Sequence, residues 1–134
     1  MPTKSKYSTG IYKLKVKRGV SGKGLFAGQD IPKGVCLIEY IGKVVPEKEQ
    51  YTIKSKYLFG VGKNGMINGN IPENTAKYIN HSCKPNCEIE EYKNRIYIFS
   101  KKKILAGEEL NYDYGKEYFD EYFKNGKCLC EKCK

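Results

Sequence analysis

The sequence predicts a mostly β (α+β) domain assembled from many short strands, and three observations predict it. Fourteen glycines and five prolines punctuate a chain of 134 residues, which implies frequent turns. Apolar residues alternate with basic ones in IYKLKVKR (residues 11–18), the pattern of a half-buried strand. Twelve tyrosines and five phenylalanines, with no tryptophan, supply bulky material for a core and a pocket. The length suits one domain, of a size at which cores are marginal and a metal is often recruited.

Taken in order, residues 1–10 form a loose polar lead-in, and the 11–18 strand follows. GVSGKGLFAG (19–28) surrounds an apolar pair with glycines and reads as a tight loop entering a short strand. DIPKG (30–34) is turn chemistry, Pro32 fixing φ and Gly34 free to take a positive one. VCLIEYIG (35–42) is a buried strand. VPEKEQYTIKSK (45–56) reads as a short helix or a charged surface turn. YLFGVG (57–62) and GMING (65–69) are short strands bounded by glycines. ENTAKYINHSCKPNC (73–87) starts as a capped helical turn and ends in a Pro-Asn loop. CEIEEY (87–92) and RIYIFSKKKI (95–104) pair as a hairpin around Lys93-Asn94, and AGEELNYDYG (106–115) is a turn feeding an aromatic segment.

Twenty-five Lys and Arg against fifteen Asp and Glu give a net charge of +10, which favours acidic partners. Lys101, Lys102 and Lys103 form the longest basic run and read as a solvated face. Weak nucleic-acid contact through this basic surface is allowed, yet basic and aromatic residues do not interleave in a recognisable nucleic-acid motif. The sequence lacks an apolar stretch of membrane-spanning length and a signal-peptide hydrophobic region. A soluble, intracellular protein is therefore expected, in nucleus or cytoplasm according to its source and acting as monomer or homodimer.

Cys128, Cys130 and Cys133 form C-x-C-x-x-C, a spacing too tight for easy disulfides and well suited to aiming three thiolates at one metal. Zinc takes four tetrahedral ligands, so a fourth must come from elsewhere: Cys83, Cys87, Cys36 or His81. Cys36, inside an apolar strand, reads as a small buried hydrophobe. A closed four-ligand zinc is structural, and it would clamp the tail to the middle of the chain. The only histidine, His81, stands between Asn80 and Cys83, both candidate site residues. Tyr112 and Tyr114 alternate on an extended segment and would face one side.

Together, GKGLFAGQDIPKGVCLIEYIG, AKYINHSCKPNCEIE, IFSKKKILAGEELNYDYG and CLCEKC resemble, in order and spacing, the SET domain family of protein lysine methyltransferases. The likeness runs from about residue 11 to the C-terminus. It implies a SET domain over 11–115 and a zinc-binding post-SET segment over 116–134, two residues shorter than the family's usual C-x-C-x4-C. It also implies a pseudoknot in which the NHSC and NYDY segments thread together. S-adenosylmethionine would be held by Gly22, Lys23, Gly24, Leu25, Tyr57, Lys77, Tyr78, Asn80, His81, Tyr114 and Leu129. Lys77-Tyr78 stands where the family commonly has Arg-Phe, so a point charge replaces a bidentate fork. The resemblance makes Tyr114, Tyr112 and Tyr40 the catalytic residues. It assigns one structural zinc ion to Cys83, Cys128, Cys130 and Cys133, leaving Cys87 a structural thiol.

The implied substrate is a lysine of a protein or peptide: a histone, or another basic or DNA-associated protein. A cationic enzyme repels a bare cationic tail at long range, so either a local acidic groove (Glu88, Glu90, Glu91, Asp113, Glu117) or a nucleic-acid-bound substrate is required. The rivals are a catalytically silent SET module that binds peptide or nucleic acid, and a zinc-dependent nucleic-acid binder.

Overall fold

Strands β1 (Leu14–Gly19) and β2 (Gly22–Ala27) form the first antiparallel pair, in register from Leu14↔Ala27 to Gly19↔Gly22. The computed structural model describes residues 6–19, 22–46, 49, 58–61 and 65–113. β1 leaves Lys15, Val16, Lys17 and Arg18 exposed, whereas β2 buries Gly24, Leu25 and Ala27. The hairpin therefore lies at the surface with one strand turned to the core.

A three-stranded antiparallel sheet forms the centre, in the order β3 (Cys36–Tyr40), β9 (Arg95–Ser100), β8 (Cys87–Tyr92). The β8–β9 turn is the expected one: Lys93 and Asn94 take φ of 50° and 62°, the two left-handed positions that suit a tight hairpin. Alternation along β9 sorts the sheet's two faces. Ile96 and Ile98 enter the main core with Leu25, Ile31, Leu37, Tyr40, Ile79, Ile104 and Leu110. Tyr97 and Phe99 point the other way and join Cys36 in a second cluster. Tyr7 of the lead-in covers that cluster, stacked on Tyr92 with ring centroids 4.2 Å apart and tilted on Tyr97 at 4.8 Å. Both faces of the sheet are thus covered.

A second three-stranded sheet has the order β4 (Lys43–Val44), β6 (Gly65–Asn68), β5 (Leu58–Val61). The two-residue β4 was not legible in the sequence. It forms because Gly42 lets the chain lie directly on the Asn68 carbonyl, where any side chain would collide.

The helical turn expected after residue 73 is a 3₁₀ helix, Thr75–Tyr78, and its capping needs correction. Asn74 makes no side-chain cap bond. Buried at 1% exposure, it instead donates from Nδ2 to the Gly69 carbonyl at 2.9 Å and accepts from the Ile41 N–H at 3.2 Å. Tertiary partners have outcompeted the local cap.

The last pair is parallel: β7 (Asn80–His81) beside β10 (Asn111–Tyr112). Residues 107–110 also return to the N-terminal hairpin, Ala27 donating to Glu108 O and Leu110 to Leu25 O, both at 2.8 Å. No helix among the described residues is long and apolar enough to cross a membrane.

Candidate functional site

Short strands and tight loops fix the candidate residues. Because β7 and β10 run parallel, Asn80 sits opposite Asn111 and His81 opposite Tyr112. One more bond, Ser82 N–H to Tyr112 O at 3.1 Å, continues this pairing into the NHSC segment. Asn86, from the Pro-Asn loop, fastens the arrangement. It exchanges backbone-to-side-chain bonds with Asn111 at 2.9 Å in both directions and donates from Nδ2 to Glu109 O at 2.9 Å.

Of the residues expected to hold a cofactor, Lys23, Lys77, Tyr78 and Asn80 lie together around β2. Asn80 Nδ2 donates to the Lys23 carbonyl at 3.1 Å and to Glu109 Oε2 at 2.7 Å, so both amide protons are used. Its Oδ1 and its main chain keep their own hydrogen-bonding capacity. The Glu109 carboxylate rests against Gly24, so a Cβ there would displace it from its place beside Asn80. The ammonium groups of Lys23 and Lys77 lie 5.4 Å and 5.3 Å from the centre of the Tyr78 ring. Two cations from β2 and from the 3₁₀ helix thus flank one aromatic ring, a setting that can receive a carboxylate beside a flat apolar group.

The aromatic part of the site is a row. Tyr40, 2% exposed, packs on Phe59 at 4.7 Å, and Phe59 lies 6.3 Å from Tyr112, 8% exposed. Tyr40 is backed by Gly69, whose missing side chain leaves space that the ring occupies. Such a row can shed water from an alkyl chain and disfavours an unpaired charge.

His81 has Nε2 at 3.3 Å from Cys83 Sγ and Nδ1 at 3.7 Å from Asp113 Oδ1. Two of the acidic residues suggested for a groove, Glu90 and Asp113, have other occupations. Glu90 is engaged by the Tyr7 hydroxyl and by the Lys6 ammonium at 3.0 Å, which hold its carboxyl below the usual range. Asp113 lies beside His81.

Among the open choices for a fourth metal ligand, two thiols are disfavoured. Burial pushes Cys87 up to about 12 and, with nearby carboxylates, Cys36 up to about 11. A metal ligand must be a thiolate, and burial opposes that form. Cys83 is half-buried. Among the described residues no group of three or more His, Cys, Asp or Glu could hold a metal. Cys128, Cys130, Cys133, Leu129, Tyr57 and Tyr114, together with Glu117 and the whole 116–134 segment, lie outside the described residues.

The buried thiols give a direct expectation. At about pH 8, iodoacetamide should modify Cys36 and Cys87 slowly in the folded protein and rapidly in urea, as read by mass spectrometry. The folded state holds these protons more tightly than the unfolded one. Their contribution to stability is therefore whole below the ordinary thiol value of 9.0 and is lost as pH rises through about 11 to 12. Equal alkylation rates in both states would overturn the assignment of both thiols as structural.

Glu109 and Phe59 were missed by sequence reasoning. Nothing separates Glu109 from Glu108 in GEEL until β10 and β2 are seen together. Phe59 was within reach, because it lies in YLFGVG, which the sequence already reads as a short strand.

Residues 22–115 match the model of the SET domain. Histone-lysine N-methyltransferase trr of Drosophila melanogaster is 38% identical over 139 residues, covering 95% of this chain and 6% of that protein. In Schizosaccharomyces pombe, the histone-lysine N-methyltransferase specific for H3 lysine-4 is 36% identical over 120 residues, covering 80% of this chain and 13% of the relative. The fission-yeast enzyme specific for H3 lysine-36 is also 36% identical, over 127 residues, with 84% of this chain and 16% of the relative covered. The chain thus spans a small fraction of each of these relatives.

Proposed function

The chain belongs to the SET domain family, and from that premise we propose that it is a protein-lysine N-methyltransferase using S-adenosylmethionine, with a histone the leading substrate. The observation that carries the reading is the convergence of Lys23, Lys77, Tyr78 and Asn80 on β2, next to the strand pair that holds His81 and Tyr112. The relatives named as histone-lysine N-methyltransferases support the same class and the same substrate.

The bound cofactor supplies an electrophilic methyl group on a cationic sulfur. Lys23 and Lys77 would receive its carboxylate, and Tyr78 its flat ring. Asn80 and His81 would orient it through main-chain and side-chain groups. Gly22, Gly24 and Leu25 would offer the backbone of β2, with Tyr57 and Leu129 completing the enclosure.

A free lysine, with a pKa near 10.4, is almost wholly protonated at neutral pH, so the enzyme must present the amine without its proton. The Tyr40–Phe59–Tyr112 row disfavours the ammonium by desolvation and holds the alkyl stem straight. The Tyr114 hydroxyl would accept weak C–H···O contacts from the methyl group and steer it toward the amine. Cys83, Cys128, Cys130 and Cys133 would hold one zinc ion, clamping the tail as a wall of the site without taking part in the chemistry.

The Tyr112 hydroxyl would occupy space beside the amine. Monomethylation is therefore expected to predominate, with some dimethylation, and Tyr112→Phe should shift product toward higher states. The test is incubation with methyl-labelled S-adenosylmethionine and a panel of purified histones, with products resolved by mass spectrometry. Label on a histone lysine is the expected result. Cofactor binding without label on any protein would leave a silent module, and trimethyl-lysine as the main wild-type product would refute the role given to Tyr112.

A further inference from the structure

The lysine run set aside as a solvated face acquires a second element in the fold. Residues 31–35 and 100–104 lie antiparallel, closed at one end by the Ile31–Ile104 pair of bonds at 2.7 and 2.9 Å. At the other end, Gly34 donates to Ser100 O at 2.8 Å and Ser100 to Val35 O at 2.9 Å. The Ser100 hydroxyl adds a 2.6 Å bond to Pro32 O and accepts from the Val35 N–H at 3.0 Å. Between these fixed ends two loops face each other, one carrying Lys33 and the other Lys101, Lys102 and Lys103. All four lysines are exposed. Among the described residues none of the four has a carboxylate within ion-pair distance. The nearest acidic groups in the sequence, Asp30 and Glu108, accept the Ala106 and Leu105 backbone N–H groups at 2.9 Å each.

We propose that these facing loops are a contact surface for the phosphate backbone of duplex nucleic acid, read without regard to sequence. The loops are pinned by backbone bonds, so the four charges are held in one neighbourhood rather than scattered. Among the described residues the patch contains no aromatic residue, and Leu105 is the only large apolar side chain exposed beside it. A protein interface is centred on buried aromatic and apolar residues, which are lacking here, whereas a nucleic-acid interface is polar and positively charged. Among the described residues the patch offers no stacking ring to read single-stranded bases, so the regular charge of a duplex is the better match. Such a surface also answers the charge problem of a +10 chain acting on cationic proteins, because a DNA-bound substrate attracts where a bare tail repels. The binding does not depend on the methyl-transfer reading, and the two fail in different assays.

The experiment is fluorescence anisotropy with a labelled random-sequence DNA duplex of about 20 base pairs, titrated with salt. Each phosphate neutralised contributes about 0.9 to the slope of log K against log salt. The variant K33Q/K101Q/K102Q/K103Q should lose about 3 to 4 from that slope and bind roughly tenfold or more weakly near 0.1 M salt. A control, K13Q/K15Q/K43Q/K93Q, removes the same charge from exposed positions elsewhere and should retain most of the affinity. Thermal unfolding of both variants establishes that they are folded. Equal losses in the two variants would show a diffuse field rather than a surface and overturn the proposal. So would wild-type binding by the first variant, no duplex binding by the wild type, or displacement of the duplex by poly-glutamate at equal charge concentration, which would point to an acidic protein.

Discussion

Asn80→Ala is expected to lower methyl transfer to a histone peptide by about a hundredfold, with the fold intact. The substitution removes the donor to the Lys23 carbonyl and the charge-assisted donor to Glu109. Bonds to charged groups contribute about 1.5–3 kcal/mol each, and about 1.4 kcal/mol is a factor of ten in rate. Glu109 would be left half-buried without that bond, so its carboxylate should draw in water where the cofactor is proposed to lie. Calorimetry with S-adenosylmethionine should show the loss in binding, and peptide kinetics should show it in kcat/KM. Activity within about threefold of wild type would remove Asn80 from the site.

The second large effect is expected at Gly69, a residue with no chemistry of its own. A methyl group there would run into the Tyr40 ring and the Asn74 amide. Neither neighbour can yield easily: Tyr40 packs on Phe59, and Asn74 ties Gly69 O to the Ile41 N–H. Gly69→Ala should cost about 1–3 kcal/mol of stability, the usual range for forcing a methylene into a packed interior. Because Tyr40 must move, turnover should fall more than cofactor affinity does. Calorimetric cofactor binding close to wild type, beside a tenfold or greater drop in kcat, is the expected pattern, and unchanged turnover would show that Tyr40 does not line the substrate path.

The sequence allowed the hairpin of β8 and β9 to be read almost to the residue, because alternation and the Lys93-Asn94 turn are local signals. The strands β2, β3, β5 and β6 were legible for the same reason. The parallel pairing of β7 with β10 is not local, and only the likeness to a family anticipated it. Asn74 shows the limit plainly: its position before a helical turn suggests a cap, and its burial sends it to Gly69 and Ile41 instead. For the candidate site, residue types that stand out in a sequence (the lone His81, Asn80, Tyr40 and Tyr112) were named as candidates. Glu109 was not, since its role exists only where the GEEL turn meets β2. Lys33 likewise gained meaning only from the bonds that set it across from Lys101–Lys103.

The return of residues 107–110 to β2 also orders events during synthesis of the protein. The β1–β2 hairpin leaves the ribosome before residues 107–110 do, so Ala27 gains its Gly107 and Glu108 partners, and Leu25 its Leu110 partner, only once those residues have been made. Until then the nascent chain carries an unsealed apolar face, and no earlier fragment can close the floor under Asn80. Pairings so distant along the chain slow folding toward the millisecond-to-second range. A ribosome that stalls before residue 110 should therefore release a product that chaperones and proteases recognise, rather than a weakened form of the folded protein.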